Sequence, residues 1–144
     1  MDLLMIAHVP PILVSPESTV MQAVELSLPA RVGAVAVMED QAIRGIFTER
    51  DLMFKVVHQK LDPDRTLVRE VMTAPVRTIR SDMPVDEVLR LMLQKHIRHL
   101  PISPDGREVE GMLSIRNVLQ HMVMDLKNDL QHMENYLGAD SPGG

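Results

Sequence analysis

The sequence predicts an α/β (α+β) protein built from two copies of a strand-helix-strand-strand-helix unit. The first observation behind this is an internal repeat. Aligning Val20 with Val85, an offset of 65, also pairs Pro10 with Pro75, Val14 with Ile79, Leu26 with Leu91, Val32 with Ile97 and Val37 with Ile102. One extra residue in the second copy makes the offset 66, pairing Gly45 with Gly111, Thr48 with Ser114, Arg50 with Arg116 and Leu52 with Val118. The second observation is that helical spacing of apolar residues alternates with short continuous apolar runs inside each copy. The third is composition: 45% hydrophobic residues suffice for a core, which must be aliphatic because Phe47, Phe54 and Tyr136 are the only aromatics beside twelve Met.

In the first copy, Ile12 to Val14 reads as a short strand closed by Ser15-Pro16. Ser18 or Thr19 then caps a helix with Val20, Ala23, Val24 and Leu28 on one face, stopped by Pro29. Ala34 to Met38 is a strand buried on both sides, Glu39-Asp40 the turn, Ile43 to Phe47 the return strand, and Glu49 to about Val57 the second helix. Lys60 to Arg65 is a polar connector, and Thr66 to Met72 forms one or two helical turns leading into the second copy.

There, Arg77 to Ile79 repeats the first strand. Pro84 opens a helix that buries Val85, Val88, Leu89, Met92 and Leu93. Leu100 to Ile102 and Val109 to Leu113 form the strand pair around Pro104-Asp105-Gly106. The last helix runs on: Leu119, Met122 and Leu126 recur eleven positions later as Leu130, Met133 and Leu137, giving a straight stripe about 35 Å long before Gly138 ends it. The expected divisions are 1–65 (first repeat with lead-in and connector), 66–126 (second repeat), 127–138 (helix extension) and 139–144 (a disordered tail). The extension packs either on a partner subunit or back on its own monomer.

The net charge of −5 and the shortage of aromatics disfavour nucleic acid as a partner. Absence of cysteine excludes disulfides, thiol chemistry and cysteine-bound metal. No segment reads as a signal peptide or approaches the roughly 18 apolar residues of a membrane span, so a soluble cytoplasmic protein is expected. The six histidines include His96 and His99 at a strand entry and His121 and His132 on one helix, too far apart to share an ion, so no metal site is expected. No nucleophile elbow, phosphate-cradling glycine loop or isolated acid pair is present, so no catalytic residue is expected either; Glu49 reads as part of a solvated helix start.

Two junctions remain: Gly45-Ile46-Phe47-Thr48-Glu49-Arg50-Asp51 and its weakened copy Gly111-Met112-Leu113-Ser114-Ile115-Arg116-Asn117. Each runs from strand to helix through a hydroxyl residue with a polar residue three positions later. That pattern fits a capping box, and it equally fits an anion site, because a helix start carries unpaired N–H groups and partial positive charge.

The duplicated unit with these junctions resembles the cystathionine-β-synthase (CBS) domain pair over about residues 7–126. His96-Ile97-Arg98-His99-Leu100-Pro101-Ile102 looks like that family's middle strand, and Val68-Arg69-Glu70-Val71-Met72-Thr73 like its lead-in to a second repeat. The resemblance implies pseudo-twofold symmetry, two clefts between the repeats, a homodimer, and regulation of a separate effector by an adenosine-containing ligand: AMP, ADP, ATP or S-adenosylmethionine. In such a cleft the Asp51 carboxylate suits the 2′ and 3′ hydroxyls of a ribose, Thr48 a phosphate oxygen, and Ile46 the base. Family position further implies phosphate contacts from Arg98, His99 and Arg116, with the backbone at Pro101 reading the adenine edge.

The second cleft has Asn117 for the Asp, with Met112 and Ser114 in the other junction positions. Gly33 and Ala34 replace Arg98 and His99, leaving Arg50 alone to meet a phosphate. One good nucleotide site and one weak or empty site are therefore expected. The alternative is an interaction protein that dimerises through the pair and its terminal helix without a ligand.

Overall fold

The computed structural model describes residues 1–139. Its first half comprises β1 (Leu13–Val14), α1 (Val20–Ala30), β2 (Ala34–Glu39) and β3 (Ala42–Thr48); α2 (Glu49–Asp51) then continues directly into a π-helical segment (Leu52–Val57). Next come α3 (Val68–Val71), α4 (Val85–Lys95), β4 (His99–Ile102), β5 (Gly111–Ser114) and α5 (Ile115–Ala139). The α/β duplication is as predicted, with local departures that have physical causes.

Thr19, not Ser18, caps α1: its hydroxyl accepts from the Gln22 N–H while Gln22 returns a bond to the Thr19 N–H. Pro29 lies inside the last turn, and Arg31 closes the helix in the left-handed region at φ 55°. Leu28 and Leu93, equivalent positions, both face outward rather than into the cores. The hairpin turn is Asp40-Gln41, both at positive φ, matching the twist of β2 and β3.

β1 runs parallel to β2, which pairs antiparallel with β3. In the second half β4 and β5 pair antiparallel, but the strand expected at Arg77–Ile79 is reduced to one parallel bridge, Ile79 to Ile102. In the first half the Ala36 N–H donates to the Ile12 carbonyl at 3.0 Å. Pro101 stands at the equivalent place and has no N–H to donate, so the ladder stops.

The expected division at 65/66 follows chain order, whereas the packing exchanges the two lead-ins. A 3-10 turn at Leu3–Met5 docks on the second half: Leu3 is buried with Ile79, Val88, Met92, Leu100 and Leu113, and His8 pairs with Met112 on β5. Reciprocally, Val68 and Val71 of α3 complete the first core around Val20, Val35, Val37 and Phe47, and Thr73 pairs with Ile46 on β3.

The paired glycines follow from this crossing. A Cβ on Gly45 would sit 2.9 Å from the Thr73 carbonyl, and one on Gly111 would sit 3.0 Å from Leu4. A third cluster of Ala34, Ala36, Ile46 and Met112 joins the two sheets. Small alanines there let the junctions of the two halves approach each other.

α5 does not stop at Gly138, because Ala139 is still helical; the remainder of the expected tail, residues 140–144, lies outside the described residues. Met122 packs on the second core, but Leu126, Leu130, Met133 and Leu137 are all more than half exposed. The fold-back on the same monomer therefore does not occur among the described residues.

Candidate functional site

Each strand-to-helix junction forms a capping box. At the first, the Thr48 N–H and hydroxyl donate to Asp51 Oδ2 at 3.0 and 3.2 Å, and Thr48 Oγ1 accepts from the Asp51 N–H at 3.3 Å. At the second, the Ser114 N–H and hydroxyl donate to Asn117 Oδ1 at 3.0 and 2.8 Å. Both polar residues thus serve the helix start, as a capping box requires.

Asp51 does more than cap. Thr73, brought by the exchanged lead-in, donates its hydroxyl to Oδ1 at 2.8 Å, and Lys55 Nζ stands 2.9 Å from the same oxygen. Four donors fill the roughly four acceptor positions of the carboxylate, which is only 4% exposed. Sequence reading missed Thr73, whose role depends on the crossing, and Lys55, whose i+4 spacing was visible.

A cavity of about 610 Å³ opens on this junction. Ile46, Thr48 and Asp51 line it from the first half, and Arg98 and His99 from the second, so five of the expected site residues share one wall system. Phe54 and Met53, exposed by the π-helical segment, lie along the rim. Arg50 belongs here too, its guanidinium donating to the His96 carbonyl at 3.3 Å and lying 6.0 Å from the Phe54 ring.

A second cavity of about 540 Å³ lies at the other junction, lined by Met112, Ser114, Arg116 and Asn117. Arg98, His99 and Glu49 line both cavities, so the two share a wall.

Three expectations need correction. Arg116 lines the second cavity, not the first, and Arg50 lines the first, not the second, because each follows its own helix start. Pro101 is buried in β4 and lines neither cavity, and its carbonyl accepts from the Ile79 N–H at 3.0 Å. The second cavity is also not poor in cations: Arg31, which sequence reading passed over, stands with Arg98 and Arg116 around it.

Burial pushes the His99 imidazole below its ordinary 6.5; Glu49 opposes that shift and Arg98 reinforces it. The shift favours the neutral imidazole. Among the described residues no cluster of three or more metal-binding side chains occurs, and no helix is long and apolar enough to cross a membrane.

Comparison with known proteins agrees with this architecture. The CBS domain model matches residues 3–58 and 68–124. An uncharacterised protein of Methanopyrus kandleri is 36% identical over 80% of this chain, which spans 62% of that relative's length. A putative signal-transduction protein with CBS domains from Burkholderia ambifaria superposes with a TM-score of 0.75 at 34% identity, covering 80% of this chain and 84% of that one. The CBS domain pair of protein MJ0100, solved in complex with 5′-methylthioadenosine and S-adenosyl-L-methionine, superposes with a TM-score of 0.78 at 23% identity, covering 87% and 98%. Two matched repeats, the crossed lead-ins and the paired junctions lead to one conclusion: this chain belongs to the CBS domain family, as a tandem pair.

Proposed function

We propose that this chain is a regulatory module that binds an adenine nucleotide (AMP, ADP or ATP), or a related adenosyl ligand such as S-adenosylmethionine, in the first cavity and signals to a separate effector protein. The observation that carries this reading is the gathering of Ile46, Thr48 and Asp51 from one half with Arg98 and His99 from the other around one cavity. The carboxylate takes the ribose, the basic residues take the phosphate, and Ile46 takes the base. The adenosyl ligands of the MJ0100 pair, which shares the fold, support the ligand class.

Asp51 must exchange partners for this to happen. Ribose hydroxyls replace the Lys55 ammonium, whose side chain is 44% exposed and keeps the Met72 carbonyl and the Thr73 hydroxyl as acceptors. Any signal requires that the ligand bind one arrangement of the module better than another. The module is a binding protein rather than an enzyme, and a cytoplasmic location goes with this reading.

It also forms a homodimer through the apolar stripe of α5, since Leu126, Leu130, Met133 and Leu137 are uncovered in the single chain. Light scattering should then give a dimer for the full chain and a monomer for a chain shortened to residues 1–126. A dimer in both cases would remove the helix from the interface.

A second reading, an interaction protein without a ligand, is favoured by the saturation of Asp51 by internal donors. Thermal melting with AMP, ATP and S-adenosylmethionine separates the two. Ligand-dependent stabilisation that disappears in Asp51→Ala supports the sensor; none of the three ligands raising the wild-type melting temperature supports the ligand-free protein.

A further inference from the structure

α5 leaves an apolar face uncovered along most of its length. Leu119, Val123, Leu126, Leu130, Met133 and Leu137 recur on one side of the helix, and each is 45% exposed or more. From first to last they span about 27 Å at 1.5 Å per residue. At the base of this stripe lies an apolar groove of about 690 Å³, lined by Ile115, Arg116, Leu119, Gln120, Val123 and Met124. All six belong to α5, so among the described residues no other element closes the groove.

Charged residues border the stripe on both sides. At 3.6 residues per turn, Lys127 and Glu134 lie along one edge and Asp129 and His132 along the other. All four are exposed, and among the described residues none of them enters an ion pair. Neither Lys127 nor Glu134 has an opposite charge three or four positions away, where a helix could pair it internally.

Both the stripe and its edges fit a reversed copy of themselves. With Leu130 on a twofold axis that crosses the helices, Leu126 lies opposite the partner's Met133, and Val123, in the groove, lies opposite the partner's Leu137. Such an axis sets each edge against the same edge of the second copy, and every contact is made twice. Lys127 then meets the partner's Glu134, and Asp129 meets the partner's His132. A parallel pair sets one edge against the other instead, so that Asp129 faces an edge carrying both Lys127 and Glu134, and attraction and repulsion alternate.

We propose that a second copy of this chain covers α5 in antiparallel order, with the Leu130 side chains meeting at the axis and the tip of each helix seated in the groove at the base of the other. This arrangement rests on the homodimer reading above and gives it a direction and a register. The apolar stripe supplies the association, and the edge charges select the antiparallel order over the parallel one.

The chain has no cysteine, so introduced ones report the geometry directly. Full-length Leu126→Cys and Met133→Cys are oxidised separately and as a mixture, with light scattering on the wild type and melting curves on each variant. In antiparallel order residue 126 lies beside the partner's 133 and about 12 Å along the axis from its own counterpart. Two cysteines with Cα atoms more than about 7 Å apart do not bridge. The expected result is a mixed disulfide from the two variants together, identified by mass, and little product from Leu126→Cys alone. Efficient self-linking of Leu126→Cys, or a wild-type dimer that gives no disulfide in any combination, overturns this geometry while leaving the homodimer in place. A monomeric wild type removes both.

A charge exchange tests the register without touching the stripe. Lys127→Glu should weaken the dimer roughly fivefold, and adding Glu134→Lys should restore it. A loss that the second change leaves in place overturns the proposed pairing.

Discussion

The two junctions are one motif put to different ends. Thr48–Asp51 and Ser114–Asn117 close the same capping box with nearly the same distances, yet their surroundings are inverted. At the first junction the carboxylate draws in Lys55 and Thr73 and is neutralised. At the second, His121, the equivalent of Lys55, turns to Asp125 at 3.1 Å, and His8, the equivalent of Thr73, keeps an unpaired nitrogen. Around Asn117 stand Arg31, Arg98 and Arg116, with Glu49 as the one carboxylate of that cavity. The change from carboxylate to amide thus goes with a change of the partners around it, from Lys55 and Thr73 to His121 and His8.

The largest expected effect comes from removing that carboxylate. Asp51→Ala strands the Thr48 N–H and the Thr73 hydroxyl and removes the ion pair with Lys55, and should cost about 2 kcal/mol in urea unfolding. Asn117→Ala removes only a cap, for about 1 kcal/mol. Equal losses would mean that the two boxes are energetically alike and that Asp51 has no special environment.

Asn117→Asp makes the second junction resemble the first. Its carboxylate would stand in a cavity lined by Arg31, Arg98 and Arg116. Stability should rise by about 0.5 kcal/mol through the favourable charge at the helix start. Thermal melting reads the change, and a variant no more stable than the wild type would show that a charge at this helix start gains nothing from its surroundings.

The smallest effect is a pH dependence confined to one half, because His99 has Ala34 as its counterpart. Its folded value lies below 6.5, so as pH falls the unfolded chain takes up this proton first. The contribution to stability is complete above 6.5 and is lost as pH falls through that value toward the folded one. The melting temperature should drop on acidification across this window, and His99→Gln should flatten the curve. An unchanged slope in that variant would assign the acid sensitivity to other groups.

Much of this was legible in the sequence, because the repeat and the buried run Ala34 to Met38 are local patterns that burial obeys directly. The partnership of Ile46, Thr48 and Asp51 with Arg98 and His99 could be placed by family position. The assignment of Arg50 and Arg116 could not, because a residue one turn into a helix follows the direction of its own helix start. Thr73 and His8 were invisible for a different reason: their roles depend on where the lead-ins go after the chain crosses over. The missing strand at Arg77–Ile79 could have been read from Pro101, a proline in an otherwise hydrogen-bonding run.

The crossing itself has a larger consequence. With Leu3 buried in one core and Val68 and Val71 in the other, each half borrows part of its interior from its sibling. Neither can be cut out, shuffled or inherited alone without leaving a hole, so the duplication behaves as one indivisible folding unit. Strain applied at one junction has a short, covalent route to the other.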